Sequence, residues 1–237
     1  MDPISFHRII HVLLHLIHKP IIDRNTGMDQ ISKAAFRRLP RYHQILSAFE
    51  GLGREYISSR ELSEILEINE TLVRKDMADL QIRGKQNQGY GISALLVRIE
   101  EFLGLQDVTE VLVVGAGHLG TALATYPGFE HYGLKILGVF DNNPERIGSM
   151  VGTHEVISVF RLASMIQKHK IKLIILTVPK AAAQELTDIA VTAGVLAIWN
   201  FTPQELSVPE GVKVRNEQIV GGFMALSHYL KNYSDKE

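Results

Sequence analysis

The sequence predicts an α/β chain of two domains, a small helical one followed by a parallel sheet built of βα units, with a lone helix last. Three observations carry this. A four-residue apolar strand, Val111–Val114, runs into Gly115, Gly117 and Gly120 in G-x-G-x-x-G spacing. After it, buried-strand patterns alternate with helical ones as far as Phe201. Before it, two short amphipathic helices joined by a tight turn precede a glycine-rich polar stretch.

Composition bounds the rest. The chain has 237 residues, 46% of them hydrophobic, and a formal net charge of −1, which suits one large or two small globular domains. It has no cysteine, which excludes disulfides, thiolate zinc sites and cysteine nucleophiles and fits a reducing cytoplasm, the expected location. No apolar run approaches the ~20 residues needed to cross a bilayer, so no membrane partner is expected.

Residues 1–28 read as a leader, expected to be non-conserved or disordered. Histidines 7, 11, 15 and 18 share one helical stripe, which reads as the weakly polar face of an amphipathic segment rather than a metal site. No small-residue cleavage site follows, and the fresh start after Met28 allows the leader to be a start-site artefact. No function and no metal are assigned to it.

Residues 29–106 read as a winged helix-turn-helix. Pro40 suits the first turn of a helix carrying Tyr42, Ile45, Leu46 and Phe49, which Gly51 and Gly53 end. Ser58-Ser59-Arg60-Glu61 offers a capping box for a short helix with Leu62, Ile65 and Leu66 inward. The turn Ile68–Thr71 caps the next helix, which buries Leu72 or Val73, Met77 and Leu80, and Gly84–Ile92 reads as a hairpin wing. Thr71, Arg74 and Lys75 lie in the first turns of the second helix, the part that meets base edges in such motifs. Arg37, Arg38 and Arg41 precede or open the first helix, and Arg83 and Lys85 flank the wing, all able to neutralise phosphates. Acids and bases cancel over this stretch, so binding duplex DNA requires the basic residues to gather on one face.

A helix from Gly91 to Gly104 leads without a long linker into residues 107–215, a dinucleotide-binding, Rossmann-type domain. In Gly115-Ala116-Gly117-His118-Leu119-Gly120 the first glycine permits the tight turn, the second lets backbone approach a pyrophosphate and the third lets helix pack on strand. Ile136–Asp141 is a second strand ending in an acid, where such folds place the carboxylate that meets the adenosine ribose. Asp141 would repel a 2′-phosphate, and the only nearby base, Arg146, lies five positions on, so NAD(H) is the expected cofactor. Asn142 follows in the turn. Further strands end at Thr177-Val178-Pro179 and Asn200-Phe201-Thr202, which are candidates to line a nicotinamide pocket. Residues 216–237 form the last helix. Gly221-Gly222 inside it costs roughly 1 kcal/mol per glycine against alanine, so packing must hold it, either on a partner chain or on its own domain.

Taken together, residues 30–233 resemble the Rex family of bacterial redox-sensing transcriptional repressors. The resemblance is carried by Arg38-Leu39-Pro40-Arg41-Tyr42, Ser58–Ser63, Val73-Arg74-Lys75-Asp76, Gly84-Lys85, Gly89-Tyr90, Val114–Leu123, Thr177-Val178-Pro179 and Asn200–Pro203. It implies a homodimer in which the C-terminal helix is swapped to lie between the partner's two domains. It also implies operator DNA bound when NAD⁺ dominates and released by NADH, with Tyr90 of the wing close to the cofactor. Two positions depart from the family pattern. Gln86 stands where members usually carry an arginine, and Gln218 where they usually carry an aspartate paired with the wing tyrosine. A carboxylate near the nicotinamide favours the cationic NAD⁺ ring, and glutamine does not, so weakened NADH/NAD⁺ discrimination is expected.

A nicotinamide-dependent oxidoreductase with an accessory N-terminal domain is the alternative. Against it, no tyrosine is followed four residues later by lysine, no cysteine can hold zinc, and no His–Asp pairing lies near the strand ends. A third reading has the winged helix recruiting protein instead of DNA.

Overall fold

The computed structural model describes residues 31–217 and 219–234; the leader and Gln218 lie outside them. Two compact units divide between Asp107 and Val108.

The first unit is helical. Helix α1 (Lys33–Gly51) begins at Ser32, whose hydroxyl accepts from the Ala35 N–H at 3.1 Å. Pro40 therefore sits inside the helix rather than in its first turn. The lost hydrogen bond is tolerated because Leu39, Tyr42 and Leu46 are wholly buried and packing holds the helix across the gap. The arginines expected to precede or open this helix accordingly stand within it. Strand β1 (Tyr56–Ile57) leads to α2 (Ser59–Leu66), and Ser58 caps α2 by accepting from the Glu61 N–H at 3.1 Å. Only half of a capping box forms, because the Glu61 carboxylate turns to Arg54. Leu62 and Leu66 point inward, whereas Ile65 is 40% exposed. Leu62 and Leu66, four residues apart, carry the buried stripe, and Ile65 stands at its edge. Glu67 turns the chain in the left-handed region at φ 55°, and Asn69 caps α3 (Glu70–Asp79), which buries Val73 and Met77.

Strand β2 (Tyr90–Gly91) pairs antiparallel with β1, and the bridge between Lys85 and Gly89 closes the wing hairpin. Gly89, at φ +92°, packs so closely on β1 that a Cβ would lie 2.3 Å from the Ile57 carbonyl oxygen. No other residue fits there. Helix α4 (Ile92–Leu103) completes a core of Leu39, Tyr42, Leu46, Ile57, Leu62, Val73, Met77, Leu80, Leu95 and Ile99.

The second unit is a seven-stranded sheet. Its strands are β3 (Thr109–Val114), β4 (Leu134–Asp141), β5 (Met150–Val151), β6 (His154–Ser158), β7 (Leu173–Leu176), β8 (Ala197–Asn200) and β9 (Lys213–Asn216), in the order β5-β6-β4-β3-β7-β8-β9. Every pairing is parallel except β5 with β6. The chain runs outward from β3 to β4 and β6, then returns to build β7, β8 and β9 on the other side. The order thus reverses at β3, and the C-terminal end of that strand is the place where such sheets take ligands. Alternate residues of β3 serve opposite faces, Leu112 and Val114 one core, Val111 and Val113 the other, and all four are buried. Helices α5 (His118–Ala124), α6 (Leu162–His169) and α7 (Lys180–Ala193) connect the strands, and α8 (Ile219–Ser234) ends the described chain. Strands β5 and β9 were not legible, each being short and bordered by glycine or charge. On α8, Phe223, Met224, Leu226, Tyr229 and Leu230 are each more than 60% exposed.

Candidate functional site

At the end of β3 the three glycines do three different things. Gly115 adopts φ +110°, and a Cβ there would lie 2.8 Å from the Thr177 carbonyl oxygen and hydroxyl. Gly120 lies so close beneath the loop that a Cβ would sit 1.8 Å from the Gly115 carbonyl oxygen. A Cβ on Gly117 would meet nothing nearer than an Arg146 nitrogen at 3.8 Å, an ordinary contact. Two glycines therefore shape the loop, and the middle one leaves room above it. The Thr177 hydroxyl fastens the loop by donating toward the carbonyls of Gly115 at 2.9 Å and Val114 at 3.1 Å.

Asp141, at the end of β4, is 8% exposed. Its carboxylate accepts from the Ala116 N–H at 2.7 Å and the Asn143 N–H at 2.8 Å, with Arg146 Nη1 at 3.3 Å. Burial opposes its ionisation, but the two N–H groups and the guanidinium outweigh that and hold its pKa below the ordinary value.

Between loop and acid lies a cavity of about 660 Å³. It gathers Gly115, Gly117, Asp141, Asn142, Arg146, Thr177, Val178 and Pro179, together with residues that sequence reasoning passed over: Asn143, Val159, Ala181, Ala182 and Leu186. Val159 was findable, since it follows the end of β6. The alanines open α7 directly after Pro179, where small side chains leave space. A volume of this size with one carboxylate and a glycine-lined floor fits a dinucleotide half. His118 lies in a smaller adjoining cavity with Gly117, Thr121 and Arg146, whereas Leu119 packs into the core.

The last predicted cluster is built differently. Asn200 is 1% exposed; its Oδ1 accepts from the Thr202 N–H at 3.0 Å and hydroxyl at 2.8 Å, while its Nδ2 donates to the Gln204 carbonyl and to Asn216 Oδ1, each at 2.8 Å. Asn200 and Thr202 thus spend their hydrogen bonds on the turn they belong to. Phe201 packs on Trp199 with ring centroids 5.0 Å apart. None of the three is among the residues that line the larger cavity.

In the helical unit, Thr71, Arg74 and Lys75 are exposed along the start of α3. Arg74 Nη2 donates to Glu70 Oε1 at 2.7 Å, the Ser59 hydroxyl donates to the same oxygen at 2.7 Å, and Ser58 is the α2 cap. Tyr90 lies near enough for the charges of Arg74 and Glu70 to act on its phenol, which burial holds above its ordinary pKa. Lys85 Nζ donates to the Tyr56 hydroxyl at 2.5 Å, and Gln86 is exposed at the wing tip. Arg41 donates to the Leu66 carbonyl at 3.2 Å. Arg38 is committed inside the unit: its Nε and Nη2 reach the buried Asp76 carboxylate at 2.7 and 2.6 Å, and the Tyr42 hydroxyl donates to the same group at 2.9 Å. Sequence reading could not find that triad, because Asp76 stands more than thirty residues from Arg38 and Tyr42. Among the described residues no group of His, Asp or Glu is placed to hold a metal ion, and no helix is long and apolar enough to cross a membrane.

Two family descriptions match the chain, "CoA binding domain" over residues 106–204 and "Putative DNA-binding protein N-terminus" over residues 30–78. Redox-sensing transcriptional repressor Rex of Clostridioides difficile is 38% identical, covering 86% of this chain and 98% of its own. Its counterpart in Roseiflexus sp. is 39% identical, covering 86% and 92%. Among solved structures, RSP in complex with β-NAD⁺ and operator DNA matches at a TM-score of 0.80 and 36% identity, over 86% of this chain and 94% of that one. RSP in complex with β-NADH matches at 0.77 and 35%, over 86% and 96%.

Proposed function

This chain belongs to the Rex family of redox-sensing transcriptional repressors, and from that premise we propose that it binds operator DNA when NAD⁺ dominates and is released by NADH. The observation that carries the proposal is the pairing, in one chain, of a glycine-floored cavity closed by Asp141 with a helix-turn-helix exposing Thr71, Arg74 and Lys75.

In this reading NAD(H) supplies the redox signal, and the chain's residues bind and orient it. Gly115, Ala116, Gly117, His118, Leu119 and Gly120 form the phosphate loop. Asp141 and Asn142 meet the ribose, and Arg146 balances the Asp141 charge beside Gly117. Thr177, Val178 and Pro179 wall the cavity toward the nicotinamide, with Asn200, Phe201 and Thr202 supporting that wall from their own turn. Tyr90 and Gln218 are assigned to the cofactor's far end on family resemblance. DNA is met by Arg41, Ser58, Ser59, Thr71, Arg74, Lys75, Lys85 and Gln86, and Arg38 acts by holding α1 to α3 through Asp76.

The domains are assigned as 29–106 for DNA, 107–215 for NAD(H) and 216–237 for a homodimer made through the exposed face of α8. The protein acts as a regulator in the cytoplasm rather than as an enzyme. The ligand can shift DNA affinity only through its differential affinity for two dimer arrangements, one of which presents the recognition helices about one helical turn (~34 Å) apart.

The test is a gel shift on a candidate promoter with NADH and NAD⁺ titrated separately. NADH is expected to release the complex at concentrations where NAD⁺ leaves it intact. Dehydrogenase turnover, or a complex indifferent to both nucleotides, would refute the reading.

A further inference from the structure

Glu70 is the first residue of α3, on the end of the helix assigned to DNA, where an acid works against phosphate. Its position is nonetheless a stable one. A carboxylate is favoured at a helix N-terminus, and Glu70 and Arg74 stand in the favourable i,i+4 order. Its Oε1 accepts from Arg74 Nη2 and from the Ser59 hydroxyl, both at 2.7 Å, and Arg74 Nε lies 3.4 Å from that hydroxyl. The Ser59 hydroxyl and the Arg74 guanidinium hold the Glu70 carboxyl below its ordinary range, so it is ionised wherever DNA is bound. An exposed pair of this kind adds little to stability. Its consequence falls on what approaches the helix.

Two effects follow. The pair is formally neutral, so together Arg74 and Glu70 offer a phosphate no net charge and little counterion release. The guanidinium is also held at two nitrogens, so it is oriented before any duplex arrives.

We propose that Glu70 sets the DNA selectivity of this chain, holding Arg74 in position for a base edge and withholding it from the phosphate backbone. The inference rests on the DNA-binding reading above.

It is tested with two probes, a duplex selected by the full chain from a randomised pool and a random-sequence duplex. Both are titrated over a salt series with wild type, Glu70→Gln and Glu70→Ala, and NADH affinity is measured in the same preparations. Glu70→Gln is expected to bind random duplex about tenfold tighter, with a log–log salt slope steeper by about 0.9, one added phosphate contact. Its affinity for the selected duplex should stay within about threefold, so discrimination narrows. Glu70→Ala should show the same gain on random duplex and also lose affinity for the selected one, because Arg74 is no longer held. NADH affinity should be unchanged in both. Equal gains on both duplexes, or no change on either, would overturn the inference while leaving the DNA-binding reading intact. A wild-type chain that selects no duplex at all would overturn both.

Discussion

Asp141 shows how much one side chain reveals and how much it hides. Its place at the end of an apolar strand about twenty residues after a glycine loop was legible in the sequence. Its bonds to Ala116 and Asn143 were not, because they depend on how the loop closes. Its folded pKa is depressed, so the stability it contributes is present above the unfolded value of about 3.9 and is lost as pH falls through the folded one. Wild-type melting temperature should therefore drop on acidification below about pH 4 more steeply than that of Asp141→Asn, as thermal denaturation followed by circular dichroism would show. The same variant should bind NADH about tenfold more weakly, since a charge-assisted hydrogen bond is replaced by a neutral one. Arg74 and Arg38 look alike in sequence, two arginines in the same helical module. The structure separates them: Arg74 is 64% exposed at its side chain, and Arg38 is locked on Asp76. Arg74→Ala should weaken operator binding with little change in its salt dependence, because the Glu70-paired guanidinium makes no phosphate contact, while NADH affinity stays intact; equal loss of both in a folded protein would contradict that division.

At the scale of elements, the strand–glycine–helix unit and the helix-turn-helix were readable because each is a local pattern of spacing and caps. The beginning of α1 was not, because Pro40 suggested a start that the burial of Leu39 and Tyr42 overrides. The Asn200–Thr202 turn is a similar case. Strand-end position pointed to a ligand, whereas the hydrogen bonds go to the turn itself. Gly120→Ala pushes α5 off the loop and should cost about 1–3 kcal/mol of stability and most NADH affinity, measured by denaturant unfolding and calorimetry. Asp76→Ala removes one partner of a buried ion pair, leaving Arg38 and Tyr42 unmatched. It should destabilise the helical unit by about 3 kcal/mol and abolish DNA binding, with nucleotide binding retained.

For the whole molecule, Phe223, Met224, Leu226, Tyr229 and Leu230 of α8 are exposed, and the homodimer proposed above would cover them with a second copy. Leu226→Glu with Leu230→Glu should halve the mass measured by light scattering and lower operator affinity with it. Gly221-Gly222, which weakens this helix and calls for packing, is already visible in the sequence. In the proposed function, occupancy of the cavity by the reduced nucleotide governs the grip on DNA. The most direct measurement is fluorescence anisotropy of a labelled operator duplex held by the full chain, with NADH and NAD⁺ added in parallel. The expected result is release by NADH at lower concentration than NAD⁺, by a margin well below a thousandfold. Release by neither nucleotide would contradict it.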